Sequence, residues 1–266
     1  MYIVAHPDDT LLFQSPSILN QIRDGSKVLT VHVAAGDGGL DARYWTRREA
    51  GIRAAYAQMA QTVNEWTSYG LSVEGHEILL TTLDAKPNIL VAFMRLPDGG
   101  FPGPSDNAPQ NSEGLSKLWH KSKLTMVSVD GLNSYTNDDL IATLATVMNR
   151  FRPRLIAVQD FVSVFTGGDH TDHYATARFS RAAHEICSFP HELVGYEGYP
   201  VQYRAVNVSG PDLELKREVF YTYGRFDSRA CYSAASCAHT PYATWLQREY
   251  VVGREITEVE TDERSD

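Results

Sequence analysis

The order of strand-like and helix-like segments at the start of the chain constrains the fold most strongly. An apolar run at 2–5 predicts a buried strand, and a β-branched run at 27–39 predicts a second strand that ends in a glycine-rich loop. The patterns at 15–25 and 46–60 predict two helices that follow these strands. Strand, helix, strand and helix in this order are typical of βαβ units on a parallel sheet.

Capping signals mark the ends of the two predicted helices. Ser15 and Pro16 suit a helix start, and Gly25 suits a helix stop. Thr46 and Glu49 are spaced as a capping box at the start of the second helix. We therefore interpret Glu49 as a capping residue rather than as a catalytic one.

The rest of the chain continues the alternation. Further segments predict strands at 76–83 and 88–96, a helix at 137–153, a strand at 154–160 and a loop that enters a helix at 167–186. We predict an α/β fold, a Rossmann-like three-layer sandwich with a mostly parallel sheet and helices on both faces. Because no linker or internal repeat interrupts the pattern, residues 1–266 are expected to form a single domain.

Two segments depart from this alternation. The stretch from Pro97 to Gly114 is rich in Pro, Gly and Asn, which predicts a mobile loop at the rim of a site. After about Phe189, tyrosines at strand-like spacing predict an extra β-rich part, with a helix near 242–252. An acidic tail over about 254–266 is expected to be flexible. The loop and the C-terminal part are expected to decide which substrate is accepted.

Charge and composition argue against several classes of protein. The 266 residues carry a formal net charge of -9, which disfavours a nucleic-acid partner. No apolar run approaches the ~20 residues that span a bilayer, and the start of the sequence is not signal-like. We therefore expect a cytoplasmic protein without a membrane partner. Cys187, Cys231 and Cys237 lack a CxxC spacing; a Cys231–Cys237 disulfide and the oligomeric state are left open.

Polar side chains follow three of the predicted strands. "HPDD" follows the first strand at His6–Asp9, "GDGG" follows the second at 36–39, and Asp160 ends the strand at 154–160. Ligands of open parallel sheets bind beyond the carboxyl ends of the strands. These stretches are therefore expected to share one edge of the sheet, although they lie far apart in the sequence.

The histidines and aspartates of these stretches suit a catalytic metal site. His170 and His173 are three residues apart at a helix start, so they lie on one helical face. With His6 and Asp9 they supply enough nitrogen and oxygen ligands for a catalytic zinc, and the lack of thiolates also suits other divalent metals. Asp8 could take a proton from a metal-activated water. The set predicts hydrolysis of a carbonyl compound.

Each of these residues also has a structural interpretation. The residues of "HPDD" could hold a turn and cap the next helix, and the two later histidines could mark an exposed helix start. Asp37 suits a loop whose glycines take positive φ. Asp98 suits a turn before two glycines, and Asp160 suits a strand end. For these three aspartates a contact with substrate is the second interpretation.

The pair of motifs "AHPDD" and "HTDH" resembles the PIG-L-like (LmbE-like) family of zinc-dependent N-acetyl-sugar deacetylases. The resemblance continues through "LLFQSP", "AAGDGG" and "YWTRREAGIRAAYAQMA", and covers roughly the first two-thirds of the chain. Within the family, the chain is similar to the deacetylases of glycopeptide-antibiotic assembly that act on an N-acetylglucosaminyl pseudoaglycone (teicoplanin type). The resemblance implies one Zn²⁺ per chain and a small-molecule glycoside as substrate.

The resemblance also implies roles for individual residues. It makes His6, Asp9 and His173 the metal ligands, Asp8 the general base, and His170 the general acid or an oxyanion contact. It implies that Asp172 orients a histidine from behind. The candidate substrate contacts are Arg47, Arg48, Asp98, Asp37 and Asp160.

Two positions depart from the family pattern. Thr10 stands where many relatives have an acidic residue, but that position is not a ligand. Gly168 stands where some relatives have a tyrosine that helps to bind the oxyanion. The metal, His170 or a tyrosine from the C-terminal part could take over that role.

Two other functions are compatible with parts of the sequence. The strand and glycines of "VHVAAGDGG" could serve a nucleotide- or S-adenosylmethionine-dependent transferase, but they do not match GxGxxG. That interpretation also leaves "HPDD" and "HTDH" without a role. A non-catalytic sugar-binding module would hold only a structural metal, and such sites are usually closed and rich in thiolates.

Overall fold

Residues 1–99 and 114–258 are described by the structure, a computed structural model. The strands are β1 (Tyr2–Val4), β2 (Val28–Ala34), β3 (Trp66–Val73), β4 (His76–Leu83), β5 (Lys86–Leu96), β6 (Thr125–Val127), β7 (Ser134–Thr136), β8 (Leu155–Gln159), β9 (His191–Tyr196) and β10 (Val251–Thr257). The helices are α1 (Asp9–Phe13), α2 (Ser17–Arg23), α3 (Ala42–Met59), α4 (Leu115–Trp119), α5 (Asn137–Phe151), α6 (Thr171–Glu185), α7 (Gly210–Gly224), α8 (Ala234–Cys237) and α9 (Pro241–Trp245). A 3-10 helix spans Tyr199–Tyr203.

One sheet organises most of these elements. Its strand order is β10-β9-β8-β1-β2-β5-β4-β3, and β6 pairs with β7 separately. The strands from β9 to β5 in this order run parallel, whereas β10, β4 and β3 pair antiparallel at the edges. The segments that follow the parallel strands therefore meet at one edge of the sheet.

Apolar side chains bury both faces of the sheet. Successive strand residues point to opposite faces, so Ile3 and Tyr2 of β1 belong to different apolar clusters. The cluster of Ile3 includes side chains of α4, α5 and α6, and the cluster of Tyr2 includes side chains of α1, α2, α3 and α7. These three layers confirm the predicted α/β fold with a mostly parallel sheet.

The start of α3 differs from the prediction. The helix begins at Ala42 rather than at Thr46, and the side chain of Asp41 caps it by accepting a backbone N–H of the first turn. Thr46 lies within the helix and donates its hydroxyl to the carbonyl of Ala42. Glu49 accepts the guanidinium of Arg95 at 2.7 Å. The predicted capping box is therefore wrong, because an earlier aspartate takes the capping position.

The C-terminal part is mainly helical, so the prediction of a β-rich part is wrong. It holds α7, α8, α9 and a 3-10 helix but only two strands, β9 and β10, among the described residues. Tyr199 and Tyr203, whose spacing suggested a strand, lie in the 3-10 helix. β10 pairs with β9 up to Thr257, so residues 254–257 of the predicted tail belong to the sheet. Residues 259–266, and residues 100–113 of the predicted rim loop, lie outside the described residues.

Two further sequence questions concern cysteines and membranes. Cys231 and Cys237, whose pairing the sequence leaves open, form a disulfide, and Cys187 is a buried free thiol. Within 1–99 and 114–258, no helix combines the length and the apolar character needed to cross a bilayer. A single domain over 1–266 stays a prediction.

Candidate metal and catalytic site

The turn after β1 is held by both neighbouring strands. Asp9 Oδ2 accepts the backbone N–H of His6 at 2.6 Å and the side-chain amide of Gln159, the last residue of β8, at 2.9 Å. Gln159 Oε1 in turn accepts the N–H of Ala5 at 2.9 Å. His32 on β2 bonds the carbonyl of His6 through Nδ1 at 3.1 Å. These contacts fix the direction of the His6 and Asp9 side chains.

The start of α6 brings a second imidazole to the same place. His170 occupies the N-cap of the helix, and His173 lies in its first turn. His173 Nδ1 is 2.9 Å from Asp169 Oδ1, and its ring stacks on Tyr199 with 5.1 Å between centroids. Because Asp169 accepts at Nδ1, the proton of a neutral ring lies there and the lone pair of Nε2 faces the site.

His6, Asp9 and His173 converge on one buried point. His173 Nε2 is 3.3 Å from His6 Nδ1 and 3.0 Å from Asp9 Oδ1, and each residue is less than 5% exposed. Within the described part of the chain, Asp9 Oδ1 accepts no hydrogen bond of good geometry. Two imidazole nitrogens and one carboxylate oxygen form the donor set of an open catalytic zinc site.

The pKa values within this set favour positive charge at its centre. Burial lowers the pKa of His173, but Asp169 and Asp9 outweigh it and raise that pKa to about 10. Burial also opposes protonation of His6, yet Asp98 and Asp9 raise its pKa well above the usual value. The pKa of Asp9 lies well below its usual value, because the two histidines outweigh the effect of burial. Such surroundings suit a cation.

A second group of potential ligands shares one histidine with this set. Its members are His6, Asp98, His170 and Asp172. Both oxygens of Asp172 already accept backbone N–H groups, from Gly99 at 2.6 Å and from Leu115 at 2.9 Å. In Asp9, by contrast, Oδ2 accepts both of the N–H donors, and Oδ1 faces His173. The set of His6, Asp9 and His173 is therefore the better cation site.

Asp172 lies close to His6 rather than to His173. Its Oδ2 is 3.6 Å from His6 Nε2, whereas the carboxylate bonded to His173 is Asp169. The position of Asp172 is compatible with the orienting role that the resemblance implied. Asp169 is not among the residues singled out from the sequence, because its contact with His173 depends on the i, i+4 geometry of the folded helix start.

The ring of His170 presents an N–H to the site. Its Nδ1 accepts the backbone N–H of Asp172 at 3.1 Å, so the proton of the neutral ring lies on Nε2. Nε2 is 3.5 Å from Asp98 Oδ1. Burial and repulsion from His6 lower the pKa of His170 to about 4, which favours the neutral ring.

Asp8 is a buried carboxylate beside the ligand set. It occupies the N-cap position of α1 without a side-chain capping bond, and its Oδ1 accepts Arg48 Nη2 at 2.6 Å. Burial raises the pKa of Asp8, and the guanidinium of Arg48 opposes that effect. The structure thus brings Asp8 and Arg48 together, a pair that no sequence spacing indicated.

The remaining candidates divide between the site and its surroundings. Arg47 is exposed and donates to the carbonyls of Arg225 and Phe226, so Arg48 is the arginine that reaches the site. Asp98 lies beside two site histidines, 3.7 Å from His6 Nε2.

Two aspartates predicted near the rim serve as loop acceptors. Asp37 accepts the N–H groups of Asp98 and Gly39, and Asp160 accepts those of Val162 and Ser163. A contact of either side chain with substrate stays a prediction.

Both departures from the family pattern have a simple structural setting. Thr10 is buried and its hydroxyl bonds that of Tyr56 at 2.9 Å, away from the ligand set. Gly168 takes a φ of 88°, which a tyrosine would adopt only with strain. Tyr199, from the C-terminal part, stacks on His173; an oxyanion contact by a tyrosine of this part stays a prediction.

Comparisons with known proteins complete the description. A family model described as "PIG-L: GlcNAc-PI de-N-acetylase" matches residues 1–184. Similar solved structures include a deacetylase triple mutant from the teicoplanin biosynthetic pathway, with 17% identity over 91% of this chain and 88% of that chain and a TM-score of 0.48. They also include N,N'-diacetylchitobiose deacetylase from Pyrococcus horikoshii, with 14% identity, 96% and 82% coverage and a TM-score of 0.46. A search of curated proteins found no match.

Proposed function

Because the chain belongs to the family described as "PIG-L: GlcNAc-PI de-N-acetylase", we propose that it is a metal-dependent N-deacetylase. The proposed reaction removes the acetyl group from an N-acetylglucosaminyl moiety. The observation that carries this proposal is the buried convergence of His6, Asp9 and His173 beside Asp8. The same convergence gives "HPDD" and "HTDH" a common role.

His6, Asp9 and His173 would hold the divalent cation. Asp169 keeps the lone pair of His173 Nε2 directed to the set, and Asp9 Oδ1 is a buried acceptor without a hydrogen bond among the described residues. When bound, the cation supplies Lewis acidity, which acidifies a water and polarises the amide carbonyl. We propose zinc, one per chain; other borderline divalent metals suit the same donors.

Asp8 is proposed as the general base. It takes a proton from the attacking water, and burial raises its pKa toward the range in which a carboxylate is an effective base. Arg48 holds Oδ1 at 2.6 Å, so the carboxylate keeps one orientation. The leaving amine then needs a proton, and Asp8 can return the one that it has taken.

His170 is proposed as an oxyanion contact. Its Nε2–H is a fixed donor, because Nδ1 is engaged by the N–H of Asp172. Donors held in place in this way stabilise the charge that develops on a carbonyl oxygen. The alternative role of general acid would require protonation of a ring whose pKa is lowered to about 4.

The proposed substrate is a glycoside that carries N-acetylglucosamine, specifically a glycopeptide pseudoaglycone. The sugar class follows from the family, and the glycopeptide rests on the motif stretches shared with the glycopeptide branch. Family membership favours this chemistry over a transferase that uses S-adenosylmethionine. Asp98, 3.5 Å from His170 Nε2, is the proposed polar contact closest to the reacting group, whereas Arg48 holds Asp8 rather than substrate.

The test measures bound metal and acetate release from an N-acetylglucosaminyl pseudoaglycone and from an N-acetylglucosamine disaccharide. Asp8→Asn is expected to lower kcat by about 10²- to 10⁴-fold, the usual contribution of a general base. Asp138→Asn, on the exposed start of α5, is the matched control and should keep wild-type rates. Wild-type rates for Asp8→Asn, or no acetate from metal-loaded wild type on either substrate, would contradict the proposal.

A further inference from the structure

Arg48 is a buried cation shared by three parts of the chain. It lies on α3, and its side chain is 8% exposed. Nη2 donates to Asp8 Oδ1 at 2.6 Å, Nη1 to the carbonyl of Gly36 at 2.5 Å, and Nε to the hydroxyl of Tyr223 at 2.7 Å. The guanidinium therefore has little freedom to move, and a Cβ at Gly36 would collide with it.

Asp227 completes this arrangement from the segment after α7. It is 3% exposed, and its Oδ2 lies 3.0 Å from Arg48 Nε and accepts the hydroxyl of Tyr223 at 2.8 Å. Its Oδ1 accepts the hydroxyl of Tyr44 at 2.9 Å and the N–H of Arg229 at 2.9 Å. The hydroxyls of Tyr223 and Tyr44 and the N–H of Arg229 thus all donate to the Asp227 carboxylate.

The charges of this network are unusual for a purely structural ion pair. Arg48 alone would neutralise Asp8, yet a second buried carboxylate, Asp227, lies 3.0 Å from Nε of the same guanidinium. Burying an additional charge costs free energy unless it is well hydrogen-bonded. Asp227 meets that condition. Its contact with Nε, together with the Tyr223 hydroxyl that accepts from Nε and donates to Asp227, restricts the orientation of the guanidinium that donates to Asp8.

We propose that Asp227 is a positioning residue that acts through Arg48 to hold the Asp8 carboxylate in its working orientation, with Tyr223 and Tyr44 as its supports. The effect on rate rests on the proposed function, in which Asp8 is the base. Asp227 and Tyr223 lie outside the residues matched by the family model. The C-terminal part therefore supplies a component of the site that the paired motifs do not contain.

The first test is a crystal structure of Asp227→Asn. In Asp227→Asn an amide N–H donor replaces a carboxylate oxygen, so it repels the donors that the wild-type oxygen accepts. Arg48 is therefore expected to turn away from this position. The distance from Arg48 Nη2 to Asp8 Oδ1 should then exceed 3.5 Å, the limit of a useful hydrogen bond. An unchanged contact of Arg48 with Asp8 would overturn the inference. This readout needs no turnover, so it decides the inference even if wild type releases no acetate.

The second test separates positioning from general destabilisation. In wild type that releases acetate, Asp227→Asn is expected to lower kcat by about 10- to 100-fold, because misplacement of a catalytic group by about 1 Å has that cost. KM should stay within about threefold, since no contact with substrate is removed. Asp212→Asn, the same change on the exposed first turn of α7, should keep wild-type kcat.

A milder variant covers the case in which Asp227→Asn does not fold. Tyr44→Phe removes one hydrogen bond from Asp227 Oδ1 and leaves the other contacts in place. A fall in kcat of about threefold or more at constant KM supports positioning. Equal changes in kcat for Tyr44→Phe and Asp212→Asn, or a change confined to KM, would overturn it.

Discussion

The convergence of His6, Asp9 and His173 could be predicted from the sequence because their residue types and short-range spacing are distinctive. "HPDD" and "HTDH" each place imidazole and carboxylate within one turn of chain, and the strand pattern puts both at one sheet edge. Asp169 and Gln159 could not be identified in this way. Asp169 is one of several polar residues before a helix, and Gln159 is a strand residue whose partner lies 150 positions away.

Asp169→Asn is expected to weaken Zn²⁺ binding by about 10- to 100-fold, the usual effect of losing a carboxylate behind a histidine ligand. The carboxylate bonds His173 Nδ1 at 2.9 Å, and an amide cannot hold the ring as firmly in the same tautomer. Competition titration with a zinc chelator measures the affinity directly. Asp138→Asn is the control, and equal affinities for the two variants would show that Asp169 does not support a ligand.

At the scale of elements, strands and helices were predictable where the sequence pattern is periodic and a clear signal marks where it ends. α5 and β8 were predicted close to their observed bounds, because apolar periodicity and Pro153 mark them clearly. β3 was missed, since its residues are mostly exposed at a sheet edge and carry little periodic signal. α7 was missed because tyrosines of the C-terminal part suggested strands, although tertiary packing decides their conformation.

The start of α3 gives an element-scale prediction. Asp41→Ala is expected to lower the free energy of unfolding by about 1 kcal/mol, because it removes the side chain that caps the helix. Thr46→Ala, at the position that the sequence suggested, is expected to change it by less than about 0.5 kcal/mol, since Thr46 is an exposed residue within the helix. Urea unfolding of both variants measures the difference. A larger loss for Thr46→Ala would place the functional cap there instead.

At the scale of the whole molecule, the C-terminal part is joined to the motif-bearing part by buried polar contacts. Asp227 and Tyr223 reach Arg48, Tyr199 stacks on His173, and Lys216 of α7 reaches α1. Sequence patterns could not indicate these contacts, because each joins a single residue to one more than 20 positions away. The site is therefore a product of long-range packing, while the residues proposed as metal ligands come from local motifs.

The burial of Lys216 between α7 and α1 can be tested by the pH dependence of the free energy of unfolding. The side chain is 1% exposed and donates to the carbonyls of Leu12 and Arg248 at 2.8 and 2.9 Å. Burial lowers the pKa of Lys216 from 10.5 to about 7, although Glu249 opposes the effect. Between about pH 7 and pH 10.5 the unfolded chain therefore binds a proton that the folded protein does not, so this residue makes the free energy of unfolding rise with pH.

Lys216→Met removes that contribution. Above pH 7, the free energy of unfolding of wild type is expected to rise relative to that of Lys216→Met. The expected rise is about 1 kcal/mol per pH unit, since one pKa unit corresponds to about 1.4 kcal/mol. Urea unfolding at pH 7, 8 and 9 measures the shift, with Lys121→Met as the control for loss of an exposed lysine. A difference that stays constant across this range would mean that the folded protein keeps Lys216 protonated, and that the link between α7 and α1 is an ordinary ammonium contact.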